Sequence, residues 1–285
     1  MGPPEGGGSP DPAGPPVHGP PVGWPAGSGA VAHVVLEDGS DTGLEARLTL
    51  DGPSGHHLAR VRRLRPGEAV SVADGRGSWR LYEIAAAGSS GVSLHAVGET
   101  VREPSLVPAL AVAFGLAKGS KPDLVARGLT ELGVDRIVPL VTRRSVPRWD
   151  DRKRVASTER LRRIAKEAAE QSRRARLPVI VEPVGLDELA GTPGLVVAVP
   201  GLPDTGDADP QEPPRPGATP RGDGATWTLV VGPEGGLDPE EVARLEDAGP
   251  VGRVSVGPFV LRTETAVLAV AAVLTARRRP ARPTS

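Results

Sequence analysis

The sequence predicts an α/β protein in which a parallel sheet follows a small β-barrel, and two patterns carry that prediction. Between His33 and Val101 apolar and polar residues alternate over short stretches broken by glycines; period two with glycine breaks is the signature of half-buried strands and turns. Beyond Pro104 strand-length apolar runs are separated by helix-length segments, the signature of parallel strands joined by crossover helices.

In chain order, residues 1–29 are mostly Gly, Pro, Ser and other small residues. Such a stretch cannot bury enough apolar surface to offset its ordering entropy and reads as a disordered leader. It lacks the charged start and continuous apolar run of a signal peptide. Residues 30–103 hold the expected barrel, with alternation in Ala69–Ala73, Trp79–Ile84 and Val92–Val97 and turns at Asp74-Gly75 and Gly88 to Gly91. Within it, His56 to Leu64 has helical spacing and a basic face containing Arg60 and Arg63, suited to a phosphate backbone.

Residues 104–279 hold the α/β part. Its expected strands are Ala109–Phe114, Arg136–Leu140, Leu195–Val199, Thr226–Val231 and Arg253–Val256; its expected helices are Lys121–Leu132, Ser157–Arg174, Pro239–Ala248 and Thr263–Ala276. Asp238-Pro239 followed by Glu241 is a strong helix start. The carboxylate caps free amides, Pro tolerates the first helical position, and acids favour the positive end of the dipole. Residues 201–224 are again rich in Pro, Gly and Asp and read as a flexible insertion between two sheet strands.

Composition narrows the chemistry. The 285 residues include no cysteine, which excludes disulfides, thiolate metal sites and a cysteine nucleophile. The most apolar stretch, Ala266 to Leu274, is less than half the roughly 20 residues that cross a bilayer, so a cytoplasmic location is the expectation. The net charge of −1 means that affinity for nucleic acid must come from clustering. The segment Arg143 to Arg176 supplies a cluster, with thirteen Lys and Arg against Asp150, Asp151, Glu159, Glu167 and Glu170; a solvated helix face is the other reading of it. The five histidines lack metal-ligand spacing, so no metal is expected. Gly115 to Lys121 looks like a phosphate loop but lacks the Gly-Lys-Ser/Thr ending, and no Gly-x-Ser-x-Gly elbow occurs.

Two loops stand out. Val231-Gly232-Pro233-Glu234-Gly235-Gly236-Leu237 joins an expected strand to the capped helix, and Val256-Gly257-Pro258 through Ala266 joins the last expected strand to the last helix. Glycine at the carboxyl end of a parallel strand lets backbone approach a ligand closely. Alone, the first loop fits a tight turn equally, and the second fits plain helix initiation with Thr263 as cap and Glu264 in the first turn. Their repetition is what favours a ligand site, because consecutive units put both loops at one sheet edge.

Four blocks in order resemble the bacterial 16S rRNA uridine N3-methyltransferases of the small-subunit methyltransferase E type. They are Thr130 to Val134 with Pro139-Leu140 and Arg144-Ser145; Ile164-Ala165 and Glu167 to Ser172 with Arg174, Arg176 and Pro178; Gly232 to Gly236; and Leu261 to Ala266. The His56–Leu64 and Pro66-Gly67 region resembles that family's amino-terminal domain, so the likeness runs from about Ala32 to Leu274.

The resemblance implies a PUA-like amino-terminal domain and a SPOUT domain with a carboxy-terminal trefoil knot. It also implies a homodimer acting on 16S rRNA with S-adenosylmethionine as methyl donor. Carried over by position, the cofactor would meet Leu195, Val199, Pro200, Gly232, Pro233, Glu234, Gly235, Gly236, Val256, Gly257, Leu261, Arg262, Thr263 and Thr265. Glu234 and Glu264 are candidate bases, and Arg262 a candidate partner for charge on the uracil oxygens; Glu264 as cap and Arg262 as loop clamp are the structural alternatives. Candidate RNA contacts are Arg60, Arg63, Lys118, Arg144, Arg174 and Arg176.

The chain departs from the family pattern at Gly128, where a lysine is usual, at Phe259, where an arginine is usual, and at Arg173 and Ala175, where Gly and Asn are usual. Ribose 2′-O-methylation and a non-catalytic RNA-binding role in ribosome assembly are the competing functions.

Overall fold

Alternating burial builds the first of the two larger sheets. The computed structural model describes residues 25–36, 44–56, 58–59, 64–88, 91–116, 119–145, 150–200 and 226–281. After a 3-10 turn at Pro25–Gly27 come β1 (Ala32–Val35), β2 (Arg47–Asp51), a short α1 (Gly52–His56), β3 (Ala69–Ala73), β4 (Ser78–Ala87), β5 (Gly91–Ala96) and β6 (Val101–Arg102). The strands run β1-β3-β4-β5-β2, with β6 on β4. Both edge strands, β1 and β2, contribute to one core with Val70, Val72, Tyr82, Ile84, Val92 and Leu94. Most of the His56–Leu64 segment expected to be helical lies outside the described residues. Within the described residues, Pro25 at the end of the expected leader is buried in the 3-10 turn.

The second unit comprises β7 (Leu106–Val107), β8 (Ala109–Gly115), α2 (Lys121–Glu131), β9 (Arg136–Val141), α3 (Asp151–Ser172), β10 (Val179–Ile180) and β11 (Val184–Gly185). After a 3-10 turn at Leu186–Leu189 follow β12 (Leu195–Ala198), β13 (Thr226–Val231), α4 (Pro239–Ala248), β14 (Val251–Val254), α5 (Thr263–Ala276) and β15 (Arg279–Pro280). Its sheet runs β10-β9-β8-β13-β12-β14 with β11 beside β9, and every pairing in it is parallel. Apolar faces of α2, α3 and α5 cover one side, with Leu129, Leu161, Val267 and Leu274 over Val112, Phe114 and Leu229. Leu245 of α4 and Leu186 of the 3-10 turn cover the other.

Three boundaries correct the sequence reading. The last sheet strand lies two residues earlier than expected, because Val251 to Val254 pair in register with Leu195 to Ala198; Val256 is thereby freed into the following loop. Helix α3 begins six residues early, where the Asp150 carboxylate accepts the Lys153 amide at 2.9 Å. The cap of α5 is Arg262 and not Thr263, which is the first helical residue.

Helix α3 stops at Arg173, which sits in the left-handed region at φ 57°. Glycine is the residue that takes this position without cost, which explains the family's usual Gly there. Arg173→Gly is therefore expected to raise stability by about 1 kcal/mol, read as a shift in the urea midpoint; an unchanged or lower midpoint would show the strain to be absent.

The two units are joined through α3 and β1. The His33 ring lies 2.8 Å from Ser71 Oγ and 3.1 Å from the Arg174 carbonyl, the Val35 amide donates to Glu170, and Val35, Ala73 and Trp79 pack on Ala169 and Ala175. Burial pushes the His33 imidazole down to about 4, with the Arg174 carbonyl pulling up and the Arg173 charge pushing down. The unfolded chain takes up this proton near 6.5 and the folded chain only near 4. The contribution to stability is therefore complete above pH 6.5 and is lost as pH falls through that window, by about 3 kcal/mol in full. His33→Gln should lose less stability than the parent between pH 7.5 and 4.5 in urea titrations; equal losses would refute the assignment.

Candidate active site

At the carboxyl ends of β12, β13 and β14 lies a cavity of about 470 Å³, the place where parallel sheets bind ligands and a size ordinary for a small-molecule site. The first glycine loop leaves β13 and turns on itself, the Gly236 amide donating to the Pro233 carbonyl at 2.7 Å with Gly236 at φ 71°. A Cβ on Gly232 would stand 2.8 Å from the Leu237 nitrogen, so the loop closes only with glycine there. It then enters α4 through a reciprocal cap. Asp238 accepts the Glu240 amide at 3.1 Å while Glu241 accepts the Asp238 amide at 3.0 Å.

Neighbouring elements hold this loop in place. The Arg143 amide donates to buried Glu241 at 2.8 Å, and Arg144 donates to the Gly235 carbonyl at 2.9 Å and to Asp238 at 3.4 Å. From below, Gly115 at the end of β8 lets Pro233 approach, since a Cβ there would lie 2.4 Å from the Pro233 nitrogen. The second loop follows β14, turns at Gly257 with φ 72°, and delivers Thr263, whose buried hydroxyl donates to the Gly232 carbonyl at 3.2 Å. This bond ties the two loops to each other across one cavity.

Of the residues expected at a cofactor, Val199, Pro200, Gly232 to Gly236, Val256, Leu261 and Thr263 line the cavity. Leu195 does not. It lies at the amino end of β12, opposite Thr228 and Val251, and the cavity instead takes Val197 and Ala198 from the carboxyl end of that strand. Gly257, Arg262 and Thr265 are also absent from the lining; Thr265 and Glu264 face a separate groove between α2 and α5. Sequence reading missed Ala266 and Val270, four apart on α5, which form an apolar wall; their helical spacing was the available signal. Exposed Phe259 and Val260, inside the expected Val256–Thr265 stretch, stand at the mouth.

The two candidate bases are unequal. Glu234 lines the cavity, and Lys121 at the start of α2 donates to it at 2.5 Å. Glu264 is mostly buried, 3.7 Å from the same Lys121. The Glu234 hydrogen bond, with Glu264 adding attraction, holds the Lys121 ammonium above its ordinary range. Gly128, where the family pattern has lysine, is filled by Leu268, which a Cβ would meet at 2.6 Å.

The expected RNA contacts divide differently. Arg60, Arg63 and Lys118 lie outside the described residues, and Arg144 sits at the cavity rim. Arg174 is corrected outright. It is 7% exposed and donates to the Thr130 and Val134 carbonyls at 3.0 and 2.8 Å. Burial lowers its guanidinium to about 10 against the pull of Asp135 and Glu103, so it stays charged at neutral pH as an internal brace. Arg176 donates to the carbonyls of Arg76 and Glu103 and thereby bridges the two units.

No group of three or more His, Cys, Asp or Glu able to hold a metal occurs among the described residues, and no described helix is long and apolar enough to cross a membrane.

Comparison with known proteins matches residues 104–275 to an RNA methyltransferase domain and residues 50–96 to an RNA methyltransferase PUA domain. The chain is 35% identical over 244 residues to the ribosomal RNA small subunit methyltransferase E of Mycobacterium bovis, covering 83% of this chain and 89% of that one. It is 31% identical over 224 residues to the protein of that name from Bacillus subtilis, covering 77% and 86%. Among solved structures, a ribosomal RNA small subunit methyltransferase E from Neisseria gonorrhoeae bound to S-adenosyl methionine superposes with a TM-score of 0.70 at 22% identity, covering 86% of this chain and 97% of that one. A Legionella pneumophila methyltransferase in complex with the same cofactor gives 0.68 at 25% identity, covering 86% and 96%.

Proposed function

Because the chain belongs to the ribosomal RNA small subunit methyltransferase E family, we propose that it methylates N3 of a uridine in 16S rRNA with S-adenosylmethionine as donor. The observation that carries this reading is the single cavity walled by two glycine loops at the carboxyl edge of the sheet, joined by the Thr263 to Gly232 bond. The cavity suits the donor. Its apolar walls, Val197, Val199, Leu261 and Val270, can take an adenine ring, and its glycine loop offers backbone groups at contact distance.

S-adenosylmethionine, when bound, supplies an electrophilic methyl on a sulfonium. The chain's task is to bring uridine N3 in line, exclude water and receive the N3 proton. Glu234 is the residue positioned to accept that proton, because it alone of the two carboxylates borders the cavity. Lys121 holds Glu234 at the rim and spans to Glu264, and exposed Arg262 is available to the developing charge on the uracil oxygens.

Residues 30–103 serve as the PUA-like RNA-holding module. Helix α5 lies on the face with α2 although it follows β14, so its chain crosses over the carboxyl ends of β12 and β13; this crossing supports a trefoil knot. The α2–α5 groove carries half-exposed Leu124 with Leu132, Leu268 and Ala272 and supports a homodimer through that face. The reaction takes place in the cytoplasm.

Mass spectrometry of nucleosides from the 16S rRNA of a deletion strain tests the function: N3-methyluridine should vanish and return on complementation. Its persistence would reject the reading, and loss of a ribose methyl instead would move the target atom to the sugar.

A further inference from the structure

Two carboxylates from different segments compete for one ammonium. Lys121, the first residue of α2, donates to Glu234 Oε1 at 2.5 Å and stands 3.7 Å from Glu264 Oε2. The second separation is too long for a hydrogen bond, but roughly 1 Å of travel would bring it to the distance of about 2.7–2.9 Å at which charged groups bond. Glu264 Oε2 is buried and has no hydrogen-bond partner among the described residues, and a polar atom left in that state costs free energy. Glu234 is thus bonded to a cation that has an open acceptor within reach.

Local structure does not account for the lysine. A cation in the first turn of a helix meets the positive end of the dipole, so Lys121 is held there by the two carboxylates. Glu264, by contrast, lies in the first turn of α5, where the dipole favours its negative charge. The other charges around these elements are engaged or distant. Asp123 of α2 pairs with Arg160 of α3, and Arg144 beside the glycine loop pairs with Asp238. Arg262, next to the first turn of α5, is exposed. Glu131 borders the α2–α5 groove with Glu264 but lies ten residues, about 15 Å, along α2 from Lys121.

We propose that Lys121 and Glu264 are positioning residues that set the proton affinity of Glu234: as Glu234 takes the uridine N3 proton, the ammonium passes from it to Glu264. The inference rests on the reading of Glu234 as the base, and it gives the second carboxylate a part that involves no contact with substrate. In the step, Glu234 accepts the proton and the electron pair of the broken N3–H bond forms the bond from N3 to the methyl carbon. The pair of the broken carbon–sulfur bond stays on sulfur. A cation beside a carboxylate opposes its protonation; a second acceptor relieves that opposition as the proton arrives. The flexible stem and three donors of lysine suit such a transfer.

One test needs neither cofactor nor RNA. In a crystal structure of the full-length Glu234→Gln protein the amide stands for the protonated base, and the Lys121 ammonium is expected about 2.8 Å from Glu264 Oε2. An ammonium that stays on the substituted side chain, still 3.7 Å from Glu264, overturns the hand-over.

The other test follows single-turnover methyl transfer to a 16S rRNA transcript as a function of pH. Transfer requires ionised Glu234, so the rate rises with pH through its titration. Lys121→Met keeps a good helix former, removes the cation, and should move this acid limb up by about 1 unit. Glu264→Gln leaves the ammonium on Glu234 and should move the limb down. Its plateau kcat should fall by up to about tenfold with KM unchanged, because a base loses rate with its pKa. A merely structural pair would lower the rate at every pH and move neither limb, and that result refutes the proposal. Arg244→Gln, at a surface cation paired with Asp187, is the control and should leave the profile unchanged.

N3 methylation by the parent, with the ammonium unmoved in the Glu234→Gln crystal, would remove the hand-over and leave the enzymatic reading standing. A moved ammonium in a protein whose parent methylates no uridine would do the reverse. Parental rates in Glu234→Gln would remove the base itself, and the proposal with it.

Discussion

Gly115→Ala is expected to weaken S-adenosylmethionine binding by about 10- to 100-fold while leaving the protein folded. The added methyl would lie 2.4 Å from the Pro233 nitrogen, 2.6 Å from Pro233 Cδ and 2.9 Å from the Gly232 carbonyl carbon. None of these is the movable end of a flexible side chain, so the first glycine loop must shift bodily. Overpacking of this kind costs about 1–3 kcal/mol, and the displaced element is the wall of the cavity. Calorimetric titration with the cofactor measures the effect, and far-ultraviolet circular dichroism checks the fold. Gly98→Ala is the control, because a Cβ there meets nothing within 4 Å. A dissociation constant within twofold of the parent would mean that Gly115 does not set the position of the loop.

Arg174→Glu is expected to destabilise the protein by at least about 3–5 kcal/mol, the range for breaking a buried charged pair. The side chain reaches from the end of α3 to carbonyls at the end of α2 and in the turn after it, Thr130 and Val134, beside Asp135. A carboxylate there would face acceptors only, with a second carboxylate close by. Against a total stability of about 5–15 kcal/mol, a loss of that size leaves much of the protein unfolded. Urea denaturation reads it directly. A midpoint close to that of the parent, with weaker RNA binding, would restore Arg174 to the RNA face where its place in a run of arginines first put it.

That arginine shows where sequence reading runs out. Thirteen basic residues between Arg143 and Arg176 look alike in one dimension. The fold divides them into a buried brace (Arg174), a clamp between units (Arg176), a cavity-rim residue (Arg144) and residues of α3 beside the cleft between the units (Arg162, Arg163, Lys166). The division depends on partners that lie from 18 residues away, for Arg162 and Ile180, to 100 away, for Arg176 and Arg76, and no local pattern encodes that. Glu234 and Glu264 are a parallel case. Both stand beside glycine loops, yet only one borders the cavity, because helix α5 turns Glu264 toward α2.

The main elements were legible for local reasons. Thr226–Val231 and Pro239–Ala248 have the bounds expected of them, the first as a short run of β-branched, aromatic and aliphatic residues and the second through its Asp-Pro start. The two-residue strands β6, β7, β10, β11 and β15 were not legible, since so few residues have no periodicity and exist only by pairing with a partner strand remote in the chain. Leu195 illustrates the same limit inside a correctly expected strand. Its type marks it as buried, but whether it faces cavity or core depends on the direction of β12 and its register against β13 and β14.

The amino-acid sequence by itself determined the α/β class, the two glycine loops and the capped helix between them, because periodicity, glycine and capping act over a few residues. Only the tertiary structure decided which ends of the strands border the cavity, which arginine is buried and which glycine makes room for the loop. Those outcomes depend on distances between residues remote in the chain, and such distances exist only once the sheet has assembled.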